Sequence, residues 1–334
     1  IKKLFFISLA LSLISQNVLA TSLLQALKKA HTNNPVLNAE RQNIQVSKEN
    51  LNISKSEFLP TVTLSGSQSE EDTKKLTDRT GTSSSITDVS PKTQSVVIEQ
   101  KIFQGFAGIA GLQKSKIGLI LADAKLLKVE QEVLYSAIEA YSGLVFANEK
   151  LQINEINLNL LERQVETDQA RLERGQITLA DLAQSESSFA GAQAKFIEAK
   201  NEKVTAKLEY EKIIGPITDM NSLSKKLDFD LKIPDSLNNA IEISKINSPD
   251  LIIARLDYEQ SEKDVLIARA DLSPSATISL SSTKTDDFSS SYDESDKEIA
   301  KATISWPIFK GGKNAASLNK SKNLKNRKKL LLDN

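Results

Sequence analysis

The chain has 334 residues, 43 basic and 43 acidic side chains, one histidine and no cysteine. A formal charge of zero leaves no single-sign field for a nucleic acid, and the lack of cysteine excludes a disulfide framework and a thiolate metal site. Aromatics at 5%, with 12 glycines and 8 prolines, are sparse for a globular core of this size and favour long helices.

Residues 1–20 read as a secretory signal peptide. Lys2 and Lys3 precede the apolar run Leu4 to Ile14, and Val18-Leu19-Ala20 forms a small-residue cleavage site. The run falls short of the ~20 residues a membrane span needs. No later stretch is long and apolar enough either, so helices are not expected to carry this chain into a membrane.

Residues 21–58 follow a helical pattern broken at Asn34-Pro35, with Pro35 suited to the first turn of a new helix. His31 has no serine or carboxylate pattern around it and reads as a surface or helix-terminal residue. From Pro60 the period changes to two. Val62 and Leu64 alternate with Thr61, Thr63 and Ser65, and Val96, Ile98 and Ile102 with Ser95, Val97, Glu99 and Lys101. Residues 59–105 therefore read as a β-hairpin with a long Ser- and Thr-rich loop from about Glu70 to Pro91.

Residues 106–214 read as a helical hairpin. No proline interrupts Phe106 to Arg174, a rod of about 100 Å at 1.5 Å per residue. Val129, Val133, Ala137, Tyr141 and Leu144 form one stripe, and Leu134, Ile138 and Val145 a second, so two neighbours are expected. Gly175 ends the rod after Arg171 and Arg174. Thr178 opens the next helix with Asp181 three residues on, as in a capping box. That helix carries a heptad: Leu182, Phe189, Phe196, Lys203 and Tyr210 in one row, Ser185, Ala192, Ala199, Ala206 and Ile213 in the other. It ends near Ile214, and residues 215–236 read as a linker.

The rest repeats the first part. NNPVL, with Pro35, returns as NSPDL, with Pro249, and FLPTVTLS, with Pro60, returns as LSPSATIS, with Pro274, both offset by 214 residues. KIFQG, ending at Gly105, returns as PIFKG, ending at Gly311, offset by 206. Residues 237–272 read as the second helices, 273–310 as the second β-hairpin and 311–334 as the start of a second long helix. In that hairpin Ala276, Ile278 and Leu280, then Ala300, Ala302, Ile304, Trp306 and Ile308, hold the apolar positions around an acidic loop from Thr283 to Asp296.

Strands of about ten residues, apolar on one face and small or polar on the other, carry the pattern of a transmembrane β-barrel. Trp306 and Phe309 suit an aromatic girdle. A soluble periplasmic coiled-coil adaptor or scaffold is the alternative, and it leaves the twinned hairpins unexplained. No enzyme, cofactor or metal pattern is found. Gly312-Lys313 has Pro307 and Asn314 where a phosphate loop needs Gly and Ser or Thr. Gly105, Gly108 and Gly111 read as helix-packing positions. Asp286, Asp287, Asp293, Glu294 and Asp296 read as a solvated loop. Lys320, Lys322, Lys325, Arg327, Lys328 and Lys329 read as a solvent face or lumen charge.

The order of signal peptide, NNPVL helix, LPTVTLSGS hairpin, long helix, RLERGQITLADL turn, heptad helix and repeat resembles the TolC family of outer membrane efflux proteins, over essentially all of residues 21–334. The resemblance implies an α+β membrane protein. Four transmembrane strands per chain would join a trimeric barrel, with a coiled-coil tunnel reaching into the periplasm. It implies a passive export duct for small molecules or proteins, working in tripartite efflux or type I secretion. The partners implied are two further copies of the chain, outer membrane lipid, a periplasmic adaptor and, through it, an inner-membrane pump. The adaptor contacts implied at the tunnel tip are Arg171, Leu172, Gly175, Thr178 and Asp181, for which helix termination and capping is an equally good account. By the 206 offset Asn334 matches Lys128, so about 85 residues of a second coiled coil are expected beyond it, and the chain reads as C-terminally truncated relative to the family.

Overall fold

The computed structural model describes residues 22–77, 79–81, 84–217, 223–224, 234–289 and 291–333. The expected signal peptide and most of the expected linker lie outside them. The described elements are α1 (Leu23–Asn33), α2 (Pro35–Ser56), β1 (Thr61–Gln68), β2 (Glu71–Thr77), β3 (Ser84–Val89), β4 (Lys92–Gln104), α3 (Ala107–Glu173), α4 (Leu179–Ile213), α5 (Leu237–Asn247), α6 (Pro249–Ala270), β5 (Ser275–Ser289), β6 (Tyr292–Ser305) and α7 (Lys313–Asp333). They fall into two compact units, Ile1–Ala39 with Val129–Ile233 and Glu40–Lys128 with Pro234–Asn334.

The first unit is helical. Ser22 caps α1 through a reciprocal box with Gln25. Asn34 then ends α1 and starts α2. Its Oδ1 accepts from the amides of Val36 and Leu37, and its Nδ2 donates to the Ile213 carbonyl. Pro35 follows in the first turn, where its missing N–H costs nothing. The repeated phrase shares that proline, since Pro249 likewise opens α6, whereas Ser248 makes no side-chain cap there. The core joins Leu23, Ala26 and Ala30 of α1, Ala137, Ala140, Tyr141 and Leu144 of α3, and Tyr210 and Ile214 at the end of α4. The two tyrosine rings lie 6.5 Å apart, and the Tyr141 hydroxyl donates to the Ser224 carbonyl at 2.8 Å. Burial pushes both phenols above the ordinary tyrosine range. Along α4, Leu182, Ala192, Ala199 and Tyr210 are buried, with Ser185, Phe189, Phe196, Ala206 and Ile213 half-buried between them. Both expected heptad rows thus face a partner helix.

The second unit holds the sheet. Its order is β1-β4-β5-β6, all antiparallel, with β1 and β6 at the edges. Cross-strand rows keep one chemistry. Val62, Ile98, Leu280 and Ala300 stand opposite one another, and so do Thr61, Glu99, Ser279 and Lys301. A period of two makes the first row share one face and the second the other.

Two expectations about loops are corrected. The first loop contains a hairpin of its own, β2 with β3, in a separate two-stranded sheet. The expected acidic loop from Thr283 is mostly strand, because β5 and β6 run for 15 and 14 residues. Along this stretch Lys284 is in register with Asp296 and lies 3.8 Å from Glu294, while Asp286 stands opposite Glu294.

The same unit packs α3 on α6 through Ile117, Leu121 and Ala124 against Ile252, Ile253 and Leu256. Ion pairs Lys114–Asp264 and Lys128–Asp250, both 2.6 Å, flank that contact. Helix α7 packs on α6, where Lys325 and Lys328 meet Glu262 and Asp257. Among the described residues, Lys325 and Lys328 of the six clustered basic residues are therefore ion-paired. Gly105, at φ 57, passes so close to α6 that a Cβ there would meet Ser273 Cβ at 2.6 Å and the Ala270 carbonyl at 2.8 Å. Gly108 lies against Phe58, whereas nothing crowds Gly111.

Candidate functional site

The turn between α3 and α4 is built from its own residues. The Gln176 amide donates to the Arg171 carbonyl at 2.9 Å, and the Gly175 amide to the Leu172 carbonyl at 2.8 Å. With Gly175 at φ 67, this is a Schellman closure, which needs a residue tolerant of the left-handed region. Three residues after Gly175, Thr178 caps α4. Asp181 Oδ2 accepts from the Thr178 amide at 2.8 Å and its hydroxyl at 2.7 Å. Those two bonds hold the Asp181 carboxyl below the usual range.

All five expected tip residues thus lie on one turn or its flanking helical ends. Gly175, Thr178 and Asp181 shape the turn. Arg171 is exposed and Leu172 half-buried, and Leu179 at the start of α4 is 71% exposed.

Asp168 escaped the sequence reading. It is buried on α3, accepts from Ser185 Oγ of α4 at 2.6 Å and from Gln164 Nε2 at 2.7 Å, and lies 3.5 Å from Arg171 Nη1. The Ser185 and Gln164 bonds hold its carboxyl below the usual range. The missed signal is symmetry about the turn. In an antiparallel hairpin, residues equidistant from the bend face each other, as Asp168 and Ser185 do and as the Lys150–Glu202 ion pair does further along.

The second candidate surface is the apolar sheet face. Val62, Leu64, Val96, Ile98, Ile278, Leu280 and Ile304 are all exposed, Leu64 to 78%. The opposite face is hydroxyl-rich, with Thr283 Oγ1 donating to Ser95 Oγ and Thr93 bonded to Thr285. Trp306, Ile308 and Phe309 follow β6 and are exposed as well. One dry face and one wet face suit lipid on one side and water on the other.

His31 stands in the last turn of α1 against Glu130. Among the described residues no cluster of His, Cys, Asp or Glu could hold a metal ion, and no helix is long and apolar enough to cross a membrane.

Residues 26–216 and 240–330 match the family model described as outer membrane efflux protein. The outer membrane efflux protein BepC of Brucella suis is 26% identical over 312 residues, covering 93% of this chain and 65% of that protein. The alkaline protease secretion protein AprF of Pseudomonas aeruginosa is 23% identical, covering 92% of this chain and 65% of its own length. The chain thus spans about two thirds of the length of these relatives. Among solved structures, the Campylobacter jejuni CmeC outer membrane channel superposes with a TM-score of 0.79 at 17% identity, covering 93% of this chain and 66% of CmeC. The Vibrio cholerae outer membrane protein VceC gives 0.71 at 15%, covering 93% and 74%. These two likenesses establish the fold: a barrel-forming sheet with long tunnel helices. The match leaves no ground for reading the chain as an enzyme. With a family model covering both repeats, the two-faced sheet and the capped helical hairpin, the chain belongs to the outer membrane efflux protein family, which places it in the outer membrane with its helical part in the periplasm.

Proposed function

We propose that this chain is the channel-tunnel component of a tripartite efflux or type I secretion system, a passive duct through which small molecules or proteins leave the cell. The observation that carries this reading is the sheet. Its apolar face is exposed, and both of its edges, β1 and β6, are unpaired among the described residues. In hydrocarbon each unpaired backbone group costs several kcal/mol, so an open-edged sheet does not persist there. Four strands are too few to close alone, since the smallest such barrels have about eight. Copies of the chain supply the missing neighbours, and the resemblance implies three.

The duct itself carries no energy source. An inner-membrane pump supplies it through a periplasmic adaptor that docks at Arg171, Leu172, Gly175, Thr178 and Asp181. The rigid capped turn supports this assignment, because it presents Arg171 and Leu179 on a fixed backbone. The relatives named for efflux and for alkaline protease secretion support both cargo classes.

Two measurements test the reading. The protein should fractionate with outer membranes, need detergent for extraction and run as a trimer; extraction into plain buffer would reject the duct. Arg171→Ala with Leu172→Ala should abolish export while assembly stays normal. Undiminished export would reject the docking assignment.

A further inference from the structure

Strand β6 sorts its charges by face. Glu294, Asp296 and Glu298 share the parity of Ala300, so they lie on the side of the apolar row, toward the β5–β6 turn. Lys297 and Lys301 have the opposite parity. They stand on the hydroxyl-rich face, and both are exposed. The partners of the lysines differ in the same way. Lys284, on the apolar side, is in register with Asp296 and lies 3.8 Å from Glu294. Lys297 is in register with Thr283 and Lys301 with Ser279, hydroxyls rather than carboxylates.

The rest of that face does not cancel them. Strand β1 brings only threonine and serine to it, from Thr61 to Ser67, and β5 does the same from Thr277 to Thr285. Strand β4 brings Glu99 and Lys101, which stand two residues apart on one strand and offset each other. Glu99 also shares a row with Lys301, but Ser279 stands between them. Two strand spacings separate the pair, about 10 Å. That exceeds the ~8 Å reach of a charge at physiological salt. Asp293 has the parity of Lys297 but lies past the continuous ladder, which ends where Asp286 meets Glu294. Among the described residues of the four strands, the hydroxyl-rich face thus carries surplus positive charge at Lys297 and Lys301. Every copy of the chain adds the same surplus.

We infer that Lys297 and Lys301 form an anion-attracting band on the lumen wall, so that the barrel favours anionic solutes, carboxylates and phosphates, over cations. Lys301 follows Ala300, which stands in the apolar row with Val62, Ile98 and Leu280, so it sits at the depth of that belt. Low-dielectric walls there concentrate the field of a charge in the water between them. Lys297 lies four residues further toward the β5–β6 turn, about 13 Å away. Lysine and arginine lining a pore select anions, and lumen positions tune selectivity where lipid-facing ones govern insertion. The inference rests on the duct proposed above and names the class of solute that its barrel prefers.

The test is the chloride-to-potassium permeability ratio of the protein as its gene encodes it, measured in planar bilayers across a potassium chloride gradient. Tunnel residues contribute to the starting ratio, so the change on substitution carries the test. Lys297→Gln with Lys301→Gln should lower the ratio severalfold. Lys297→Arg with Lys301→Arg keeps both charges and should hold the wild-type value. Lys284→Gln removes a lysine from the apolar side and should leave the ratio unchanged. Raising the salt should narrow the gap between wild type and the glutamine pair, because screening shortens the reach of both charges. An unchanged ratio in the glutamine pair, or an equal fall from Lys284→Gln, would overturn the inference while the duct stands. No ion conductance from the wild-type protein would instead reject the duct, and the inference with it.

Discussion

Asp168 shows how much of the hairpin tip rests on single polar side chains. It is a buried acceptor that ties α3 to α4 through Ser185, and its carboxyl is held below the ordinary aspartate value of about 3.9. A group depressed in the folded state adds stability that is complete above the unfolded value and is lost as pH falls through the folded one. The tip should therefore be fully latched at neutral pH and loosen below about pH 4. Asp168→Asn should lower the melting temperature at pH 7 and shrink the acid-dependent fall. Thermal melts of the detergent-solubilised protein at pH 7, 5 and 3 measure both, and an unchanged acid limb would assign it to other carboxylates, Asp181 among them. Gly175, Thr178 and Asp181 were legible in the sequence because capping is local chemistry. Asp168 was not, because its partner lies on the other helix.

Elements, too, were read best where their rule is local. The α3 and α4 boundaries follow from Gly175, Thr178 and Gly215-Pro216. The heptad rows of α4 are its buried face because 3.5-residue spacing keeps one stripe turned to the partner. Ala199 is fully buried, whereas Ala194 on the same helix is exposed. Ala199→Leu should therefore destabilise by about 1–3 kcal/mol through overpacking, and Ala194→Leu should be nearly neutral. Chemical denaturation followed by helix signal separates them; equal effects would mean that the row is not a packed seam. The strands were less legible. Alternation located their apolar ends, but β5 and β6 run on through residues that look like loop. There Lys284 faces Asp296 and Glu294 across the ladder, a contact that neither strand announces alone.

At the scale of the whole molecule, the two faces of the sheet make opposite demands. Leu280 stands on the apolar face and Ser279, its neighbour in sequence, on the hydroxyl-rich one. In a lipid-facing position a lysine near the bilayer midplane costs about 2–4 kcal/mol, whereas lumen positions tolerate charge. Leu280→Lys should strongly reduce the amount of folded protein in outer membranes, and Ser279→Lys should leave it close to wild type. Equal losses would show that the apolar face is not turned to lipid.

By itself, the sequence determined the long helices, the Gly175 stop and Thr178 cap between them, the alternation of the strands and the duplication. Each depends on residues close together along the chain, or on the same phrase written twice. Only the tertiary structure decided that β4 pairs with β5, that α6 lies between α3 and α7, and that Asp168 latches the tip. These contacts join residues far apart in sequence, and no local period encodes which distant partner a free edge or a buried carboxylate will meet.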